Sequence, residues 1–189
     1  MESLSEICTK NTVGLFPDKQ TEHTYVEVYQ EKLAPYRETA KNILEIGILG
    51  GQSLLMWEQY FKGKCYGVDC DIAPIGGAYD LSPMIAEGTH NIIIMDGTSQ
   101  TDIEKNFKDV MFDVIIDDGS HQLVHQLESY KHFKSHLNKG GIYIIEDIQN
   151  LDEDRAAFEN IDGDKKVTIL DRRSIKNRYD DVLIIIEDK

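Results

Sequence analysis

The chain has 189 residues, of which 41% are hydrophobic, and this length supports one sizeable core, so we predict a single domain over residues 1–189. The formal net charge of −14 disfavours a nucleic-acid substrate, because phosphate binding requires a basic surface, and favours a neutral or cationic small molecule. We expect a cytoplasmic protein with reduced thiols, because signal-peptide features and membrane-length apolar runs are absent and the cysteines lack metal-ligand spacing (Cys8, Cys65 and Cys70).

Residues 1–40 are predicted to form a cap on the substrate side of the domain. Residues 21–40 have the apolar spacing of an amphipathic helix, which Pro35 interrupts. The apolar positions of this helix are Tyr25, Val26, Tyr29 and Leu33. We expect the helix to cover the open end of a sheet.

Five short apolar runs, separated by helical stretches, predict a mostly parallel sheet. They are nearly continuous rather than alternating, as in strands buried on both faces. They span residues 42–46, 64–68, 91–95, 112–116 and 142–146. Helices are predicted over 52–61 and 122–137, the second ended by Lys139-Gly140-Gly141. The fold class is therefore an α/β sandwich.

The C-terminal part of the chain predicts two further strands. Residues 167–170 and 182–186, joined by the polar segment 171–181, are expected to pair antiparallel and close one edge of the sheet. The segment around residues 76–79 is the least regular connection, and we predict that it is a mobile substrate loop.

A glycine-rich turn follows the first predicted strand. The segment Glu45-Ile46-Gly47-Ile48-Leu49-Gly50-Gly51-Gln52-Ser53 allows the backbone to turn tightly and approach a ligand before a helix begins. Its spacing, G-x-x-G-G, differs from the dinucleotide fingerprint G-x-G-x-x-G, so a pyrophosphate cradle is not the leading interpretation.

Each of the first three predicted strands ends with a carboxylate. Glu45, Asp69 and Asp96 are therefore expected at one edge of the sheet, with Gly97 directly after the third acid. Asp69 falls about one β-α unit after the glycines, where acidic groups bind ribose hydroxyls.

This arrangement resembles the class I S-adenosylmethionine-dependent methyltransferases over nearly the whole chain. The resemblance implies a Rossmann-like sandwich with a mostly parallel seven-stranded sheet, an antiparallel C-terminal strand pair and S-adenosylmethionine as cofactor. It assigns Asp69 to the ribose and Asp96, with Gly97, to the adenine side. The residues that it assigns to the methionine side are Glu45, Gly47 and Ser53, and Gly51 is a further cofactor-binding residue.

A second group of acids follows the fourth and fifth predicted strands. Asp117 and Asp118 close the fourth strand, and Glu146 and Asp147 close the fifth. Since adjacent strand ends lie side by side, these carboxylates can converge on a hard cation such as magnesium. Without a cation or a proton they would repel one another. Asp117 could instead serve the cofactor.

His121 ends the segment Asp117-Asp118-Gly119-Ser120-His121. We expect it in the first turn of the next helix, with Ser120 as the N-cap, where the helix dipole would keep the imidazole neutral and able to act as a general base. The alternative is that His121 is only a polar residue at a helix start. His125 is interpreted as a surface or packing residue.

The segment Asp117 to His121, together with Ile145-Glu146-Asp147, resembles the metal-dependent sugar O-methyltransferases of antibiotic pathways, the macrocin O-methyltransferase-like family. The stretch Asp18-Lys19-Gln20-Thr21-Glu22-His23-Thr24-Tyr25 is similar to that family's D-K-G-x-x-H-x-Y, with Gln20 where glycine is usual. The resemblance implies magnesium-assisted methylation of a sugar or glycoside hydroxyl. It makes His121 the base, Asp118 and Asp147 metal ligands, and Glu146 or Asp117 a further ligand.

Other interpretations remain open at this point. His23 and Tyr25 are candidates to line the substrate pocket, or they cap the N-terminal helix. A catechol-type O-methyltransferase would use the same metal on a phenolic diol, and a nucleoside-binding Rossmann-like domain would have no catalysis. We also consider a homodimer.

Overall fold

The computed structural model describes residues 2–10, 17–73 and 80–189, and within them seven strands form one sheet. The strands are β1 (Asn42–Ile46), β2 (Lys64–Asp69), β3 (Asn91–Ile94), β4 (Phe112–Asp117), β5 (Leu137–Ile145), β6 (Lys165–Asp171) and β7 (Val182–Asp188). Their order across the sheet is β3-β2-β1-β4-β5-β7-β6. Pairing is parallel from β3 to β5, and β7 lies antiparallel between β5 and β6. The predicted α/β class and the antiparallel C-terminal pair are confirmed.

Nine helices are present in the described ranges. They are α1 (Leu4–Lys10), α2 (Asp18–Thr21), α3 (Tyr25–Leu33), α4 (Gln52–Tyr60), α5 (Ser82–Glu87), α6 (Gln100–Phe107), α7 (Leu123–Phe133), α8 (Leu151–Glu159) and α9 (Arg173–Lys176). Short 3-10 turns follow α3, at Ala34–Tyr36, and α7, at Lys134–His136. No helix in these ranges combines the length and the apolar composition that crossing a bilayer requires.

The strands are apolar on both faces because each face is covered. Successive strand residues point to opposite sides of a sheet. Ile116 therefore packs in one core cluster with Tyr29 of α3 and Trp57 of α4, whereas Ile115 packs in the other with Tyr130 of α7. This double burial explains why the apolar runs do not alternate with polar residues.

The register brings the carboxyl ends of the central strands together. Ile46 of β1 is opposite Asp117 of β4, and Asp117 is opposite Ile145 of β5. Backbone hydrogen bonds continue past the strands, because Asp118 N–H donates to Ile46 O at 2.8 Å and Glu146 N–H donates to Asp117 O at 2.9 Å. The acids that follow these strands consequently share one edge of the sheet.

Two local predictions are corrected by the structure. Helix α7 begins at Leu123 with Gln122 as its N-cap, so Ser120 does not cap it and His121 does not belong to its first turn. His121 has a left-handed backbone, with φ of +57°. Ser120 Oγ instead contacts His125 Nδ1 at 2.6 Å.

The second correction concerns where β5 begins. The helix before it ends at Phe133, and the strand starts at Leu137 rather than at residue 142. Leu137 pairs with Phe112, and the register then shifts before Ile142 pairs with Val114. The glycines of residues 139–141 therefore mark a bulge in the ladder and do not end the helix. The loop predicted at residues 76–79 lies outside the described residues.

Gly47 is the point where the turn after β1 passes closest to the turn after β4. Its φ is +81°, and a Cβ added there would lie 2.1 Å from the carbonyl oxygen of Asp118. Only glycine avoids both the unfavourable φ and this overlap. The glycine after β1 is therefore required by the packing of two loops.

We predict that Gly47→Ala destabilises the protein far more than Gly88→Ala does. Gly88 also has a positive φ, +68°, but a Cβ there would meet nothing within 4 Å. In both variants the left-handed backbone conformation lowers the free energy of unfolding by about 1–2 kcal/mol. Gly47→Ala lowers it by about 2 kcal/mol more, because the added Cβ overlaps backbone atoms. Urea unfolding of the two variants measures the difference, and equal losses would contradict the close approach.

Candidate active site

A cavity of about 610 Å³ opens at the carboxyl ends of the parallel strands. Its volume falls within the range typical of small-molecule sites, and open parallel sheets bind ligands at this edge. The predicted site residues that line it are Gly47, Ser53, Asp69, Asp96, Gly97, Asp117, Asp118 and His121. The other predicted site residues do not line this cavity; they are His23, Tyr25, Glu45, Gly51, Glu146 and Asp147.

Asp69 holds the glycine turn in place. Its Oδ2 accepts hydrogen bonds from the backbone N–H groups of Ile48 and Leu49, at 3.1 and 3.0 Å. Leu49 has a φ of +49°, which is unusual for a residue with a side chain. The carboxylate at the end of β2 therefore shapes the cavity wall formed by the turn after β1.

Asp96 is a fixed acceptor on the opposite part of the cavity wall. Its Oδ1 accepts from Thr98 Oγ1 at 2.7 Å and from Thr98 N–H at 2.8 Å. These hydrogen bonds lower the pKa of Asp96, so the group is a carboxylate at neutral pH. It can accept a hydrogen bond from a ligand amine or hydroxyl.

Glu45 lies behind the cavity, fully buried between β1 and α4. Its carboxylate accepts from Ser53 Oγ at 2.8 Å and from Trp57 Nε1 at 3.0 Å. Burial raises its pKa, and the nearby Lys19 opposes that rise. Gly51 packs against Met84, whose Sδ would lie 2.4 Å from an added Cβ. Both residues support the glycine turn from outside the cavity.

Lys19 is the site residue to which the sequence analysis assigned no role. Its side chain is fully buried, and its Nζ lies 2.6 Å from Asp118 Oδ2, 2.9 Å from Glu146 Oε1 and 3.4 Å from Glu45 Oε1. Burial lowers the pKa of Lys19, but the three carboxylates raise it more, so that it lies well above its ordinary value. Two sequence signals pointed to this lysine: it belongs to the Asp18 to Tyr25 motif, and the predicted acid clusters required a cation.

Asp118, His121 and Asp147 form a group that could hold a metal ion. One potential ligand atom from each lies within 4.8 Å of the others, and His121 Nε2 is 3.9 Å from Asp147 Oδ2. Two carboxylates and an imidazole suit a divalent cation. Glu146 lies next to this group, and its Oε1 is taken by Lys19 and by the hydroxyl of Tyr29. The donor set therefore fits a metal beside the cavity.

His23 and Tyr25 contact Asp147 from the N-terminal segment. Tyr25 donates its hydroxyl hydrogen to Asp147 Oδ1 at 2.7 Å, and His23 Nδ1 lies 3.3 Å from the same oxygen. The two rings stack with centroids 4.7 Å apart. Both side chains are buried. The structure brings them to the acid cluster rather than to the wall of the cavity.

Asp117 has a separate environment from its neighbour Asp118. Its carboxyl group is buried and accepts from Tyr143 Oη at 3.2 Å and Gly119 N–H at 3.3 Å. Burial raises the pKa of Asp117 to about 7, despite these two hydrogen bonds. Burial likewise raises the pKa of Asp147 to about 8, with Asp118 adding to the rise. The site thus concentrates carboxyl groups that resist ionisation.

Backbone strain is concentrated here as well. Four non-glycine residues in the described ranges have a positive φ, and three of them, Leu49, His121 and Asp147, belong to this site. Such conformations cost energy and persist where the surrounding structure enforces them, often at functional sites.

The sheet order, the antiparallel β7 and the cavity at the strand ends together define the class I methyltransferase fold. A family model described as a methyltransferase domain matches residues 44–148, and the chain belongs to this family.

Two curated relatives illustrate the similarity. The 8-demethyl-8-alpha-L-rhamnosyl tetracenomycin-C 2'-O-methyltransferase of Streptomyces olivaceus is 35% identical over 142 residues, which are 70% of this chain and 35% of that enzyme. The mycinamicin VI 2''-O-methyltransferase of Micromonospora griseorubida is 31% identical over 134 residues, 67% of this chain and 32% of that enzyme. The chain thus spans about a third of the length of the curated relatives it matches.

Among solved structures, the MycE methyltransferase from the mycinamycin biosynthetic pathway, in complex with Mg and SAH, shares the fold. It superposes with a TM-score of 0.74 at 21% sequence identity and covers 99% of this chain and 55% of its own.

The raised pKa of Asp117 predicts a pH-dependent stability. The pKa of an aspartate in an unfolded chain is about 4, whereas the pKa of Asp117 in the folded protein is about 7. Folding therefore takes up a proton between these values, and the contribution of Asp117 to stability falls as pH rises through that window. Asp117→Asn cannot ionise at this position. Between about pH 5 and pH 8, its free energy of unfolding should therefore rise on the order of 2–4 kcal/mol relative to that of wild type.

Urea unfolding of both proteins across this range, in EDTA, measures the effect. Asp96→Asn is the matched control, since the pKa of Asp96 is lowered and its contribution changes only at lower pH. A constant difference between Asp117→Asn and wild type would contradict the prediction.

Proposed function

We propose that this chain is an S-adenosylmethionine-dependent O-methyltransferase that acts on a hydroxyl of a sugar or glycoside with the help of a divalent metal, most simply magnesium. The observation that carries the proposal is the convergence beside the large cavity of two carboxyl groups that would hold the metal, those of Asp118 and Asp147, and of the His121 imidazole, which stays free to act as the base. The similarity to an O-methyltransferase whose name specifies a rhamnosyl substrate supports the acceptor class.

The cavity would hold the cofactor, which supplies a methyl group on a positively charged sulfur. Asp69 and Asp96 offer carboxylates for the ribose hydroxyls and the adenine side, and Gly97 lines the cavity next to Asp96. Gly47 and Ser53 would contact the methionine side, with Glu45 and Gly51 supporting them from behind. Asp117, also on the wall, is assigned to the cofactor side.

The metal would be held by Asp118 and Asp147, with Glu146 as a further ligand. When bound, a divalent ion lowers the pKa of a coordinated hydroxyl and orients it. The carboxylates of this cluster have only Lys19 as a lysine or arginine partner within 4 Å in the described ranges; they are the buried Glu45, Glu146 and Asp147 and the half-buried Asp118. Burial raises the pKa of Asp118, Glu146 and Asp147, and a divalent cation would compensate the negative charge of their ionised forms.

His121 would act as the general base. It lies on the cavity wall, where its imidazole can take the proton of a hydroxyl as the oxygen attacks the methyl carbon. The bond from that carbon to sulfur then breaks, its electron pair stays on sulfur, and S-adenosylhomocysteine leaves. His23 and Tyr25 were expected beside the substrate, and their contacts with Asp147 support a role in positioning that carboxylate.

Four further expectations remain proposals. They are a single S-adenosylmethionine-binding domain over residues 1–189, a homodimer, a cytoplasmic location and the absence of a nucleic-acid substrate.

Methyl transfer from labelled S-adenosylmethionine tests the function. We expect transfer to members of a panel of deoxysugar and rhamnosyl glycosides in the presence of magnesium and its loss in EDTA. Catechols serve as the comparison panel. Methyl transfer to catechols alone would overturn the proposed acceptor class. Methyl transfer to glycosides that persists in EDTA would show that the reaction needs no metal, and the methyltransferase assignment would stand.

We predict that His121→Ala lowers kcat for the accepted glycoside by about 10²- to 10⁴-fold, because a general base typically contributes that much. Binding of S-adenosylhomocysteine, measured by calorimetry, should change little. His132→Ala is the matched control, since His132 pairs with Glu128 on the outer part of α7 and does not line the cavity. A His121→Ala enzyme with a wild-type rate would exclude His121 as the base.

A further inference from the structure

The Lys19 ammonium occupies the centre of the acid cluster. It is supplied by α2, far along the chain from the strand ends, and its side chain has no solvent exposure. An ammonium group has three protons. Three carboxylate oxygens, one each from Glu45, Asp118 and Glu146, surround it within 3.4 Å.

These contacts leave each proposed metal ligand with one oxygen engaged. Asp118 Oδ2 accepts a hydrogen bond from Lys19, and Asp147 Oδ1 accepts one from Tyr25. Glu146 Oε1 pairs with Lys19 and accepts a hydrogen bond from Tyr29. Within the described part of the N-terminal segment, no side chain donates a hydrogen bond to the second oxygen of any of these carboxylates. Asp147 Oδ2 is the oxygen nearest to His121.

The charges show why a fixed cation is needed here. A carboxylate that loses its partner in a buried site is strongly destabilising, because desolvation is then uncompensated. Glu45, Glu146 and Asp147 are each buried, and Asp118 lies beside them. One ammonium compensates only part of the charge of this cluster when its carboxyl groups are ionised, so a further cation would stabilise the ionised form.

We propose that Lys19 is a positioning residue that shares the carboxylate cluster with the divalent metal, and that its charge weakens metal binding while allowing the metal-free protein to fold. The inference rests on the metal site of the proposed function. A positive charge a few ångströms from a divalent ion repels it substantially even at an effective dielectric constant of about 20. Removing the charge should therefore strengthen metal binding and make folding depend on metal.

Lys19→Met tests this in the full chain, because methionine keeps most of the side-chain length without the charge. Lys32→Met is the matched control, since Lys32 Nζ pairs with a single carboxylate, Glu187 Oε2, at 3.5 Å on another part of the molecule. Thermal unfolding is measured in EDTA and in magnesium, and Mn²⁺ affinity is measured by calorimetry at one fixed pH.

We expect Lys19→Met to melt well below wild type in EDTA, to recover more than wild type on addition of magnesium, and to bind Mn²⁺ about tenfold or more tightly than wild type. Lys32→Met should match wild type in metal affinity and in its response to magnesium. Unchanged or weaker Mn²⁺ binding by Lys19→Met would overturn the inference.

If Lys19→Met fails to fold in EDTA, the Mn²⁺ affinity of the double variant Lys19→Met/Glu45→Gln is compared with that of Glu45→Gln alone, because these two proteins differ only in the charge at position 19. Tighter binding by the double variant supports the inference, and unchanged or weaker binding overturns it. Absence of Mn²⁺ binding in wild type and in every variant would also overturn the inference. Labelled methyl transfer by the wild type in EDTA is a separate measurement, so loss of the metal site and loss of the methyltransferase function are distinguishable.

Discussion

The convergence of buried carboxylates at neighbouring strand ends is the constraint on which the rest of the site depends. The ladder joining β1, β4 and β5 continues one residue past the strands and brings Asp118 beside Glu146. Glu45, inside β1, contacts the same Lys19 ammonium as these two acids. The passage of Gly47 against the Asp118 carbonyl removes the space that would otherwise separate them. Carboxylates held this closely in a low-dielectric setting require protons, donors or cations.

The N-terminal segment supplies that compensation. Lys19, Tyr25 and Tyr29 all reach the cluster, from positions more than 90 residues before the acids that they contact at β4 and β5. Tyr29 also packs edge-on against Trp57, so the same helix that donates to Glu146 is anchored in the core. The segment predicted as a cap is therefore an integral part of the acid cluster. Its burial of three polar groups is stabilising only because every one of them meets a carboxylate.

The sheet could be predicted from the sequence because each strand is a local apolar run, and the acids could be placed because parallel strands end at a common edge. The position of Lys19 could not, since its contacts span 99 residues and no periodicity encodes them. The left-handed backbone of His121 and the bulge at the start of β5 were also missed. The His121 backbone and the β5 bulge both depend on how neighbouring strands and turns pack. The spacing of apolar residues in the sequence carries no information about that packing.

The adjacent residues Asp117 and Asp118 place their carboxyl groups in two different environments. Successive residues at the end of a strand point to opposite faces of the sheet. Asp117 accordingly meets Tyr143 on the face covered by α7, whereas Asp118 meets Lys19 on the face covered by α3 and α4. The pleat separates a carboxyl group whose pKa burial raises to about 7 from one that is paired with an ammonium. This division supports assigning Asp117 to the cofactor side and Asp118 to the metal, because only the second carboxylate lies beside His121 and Asp147.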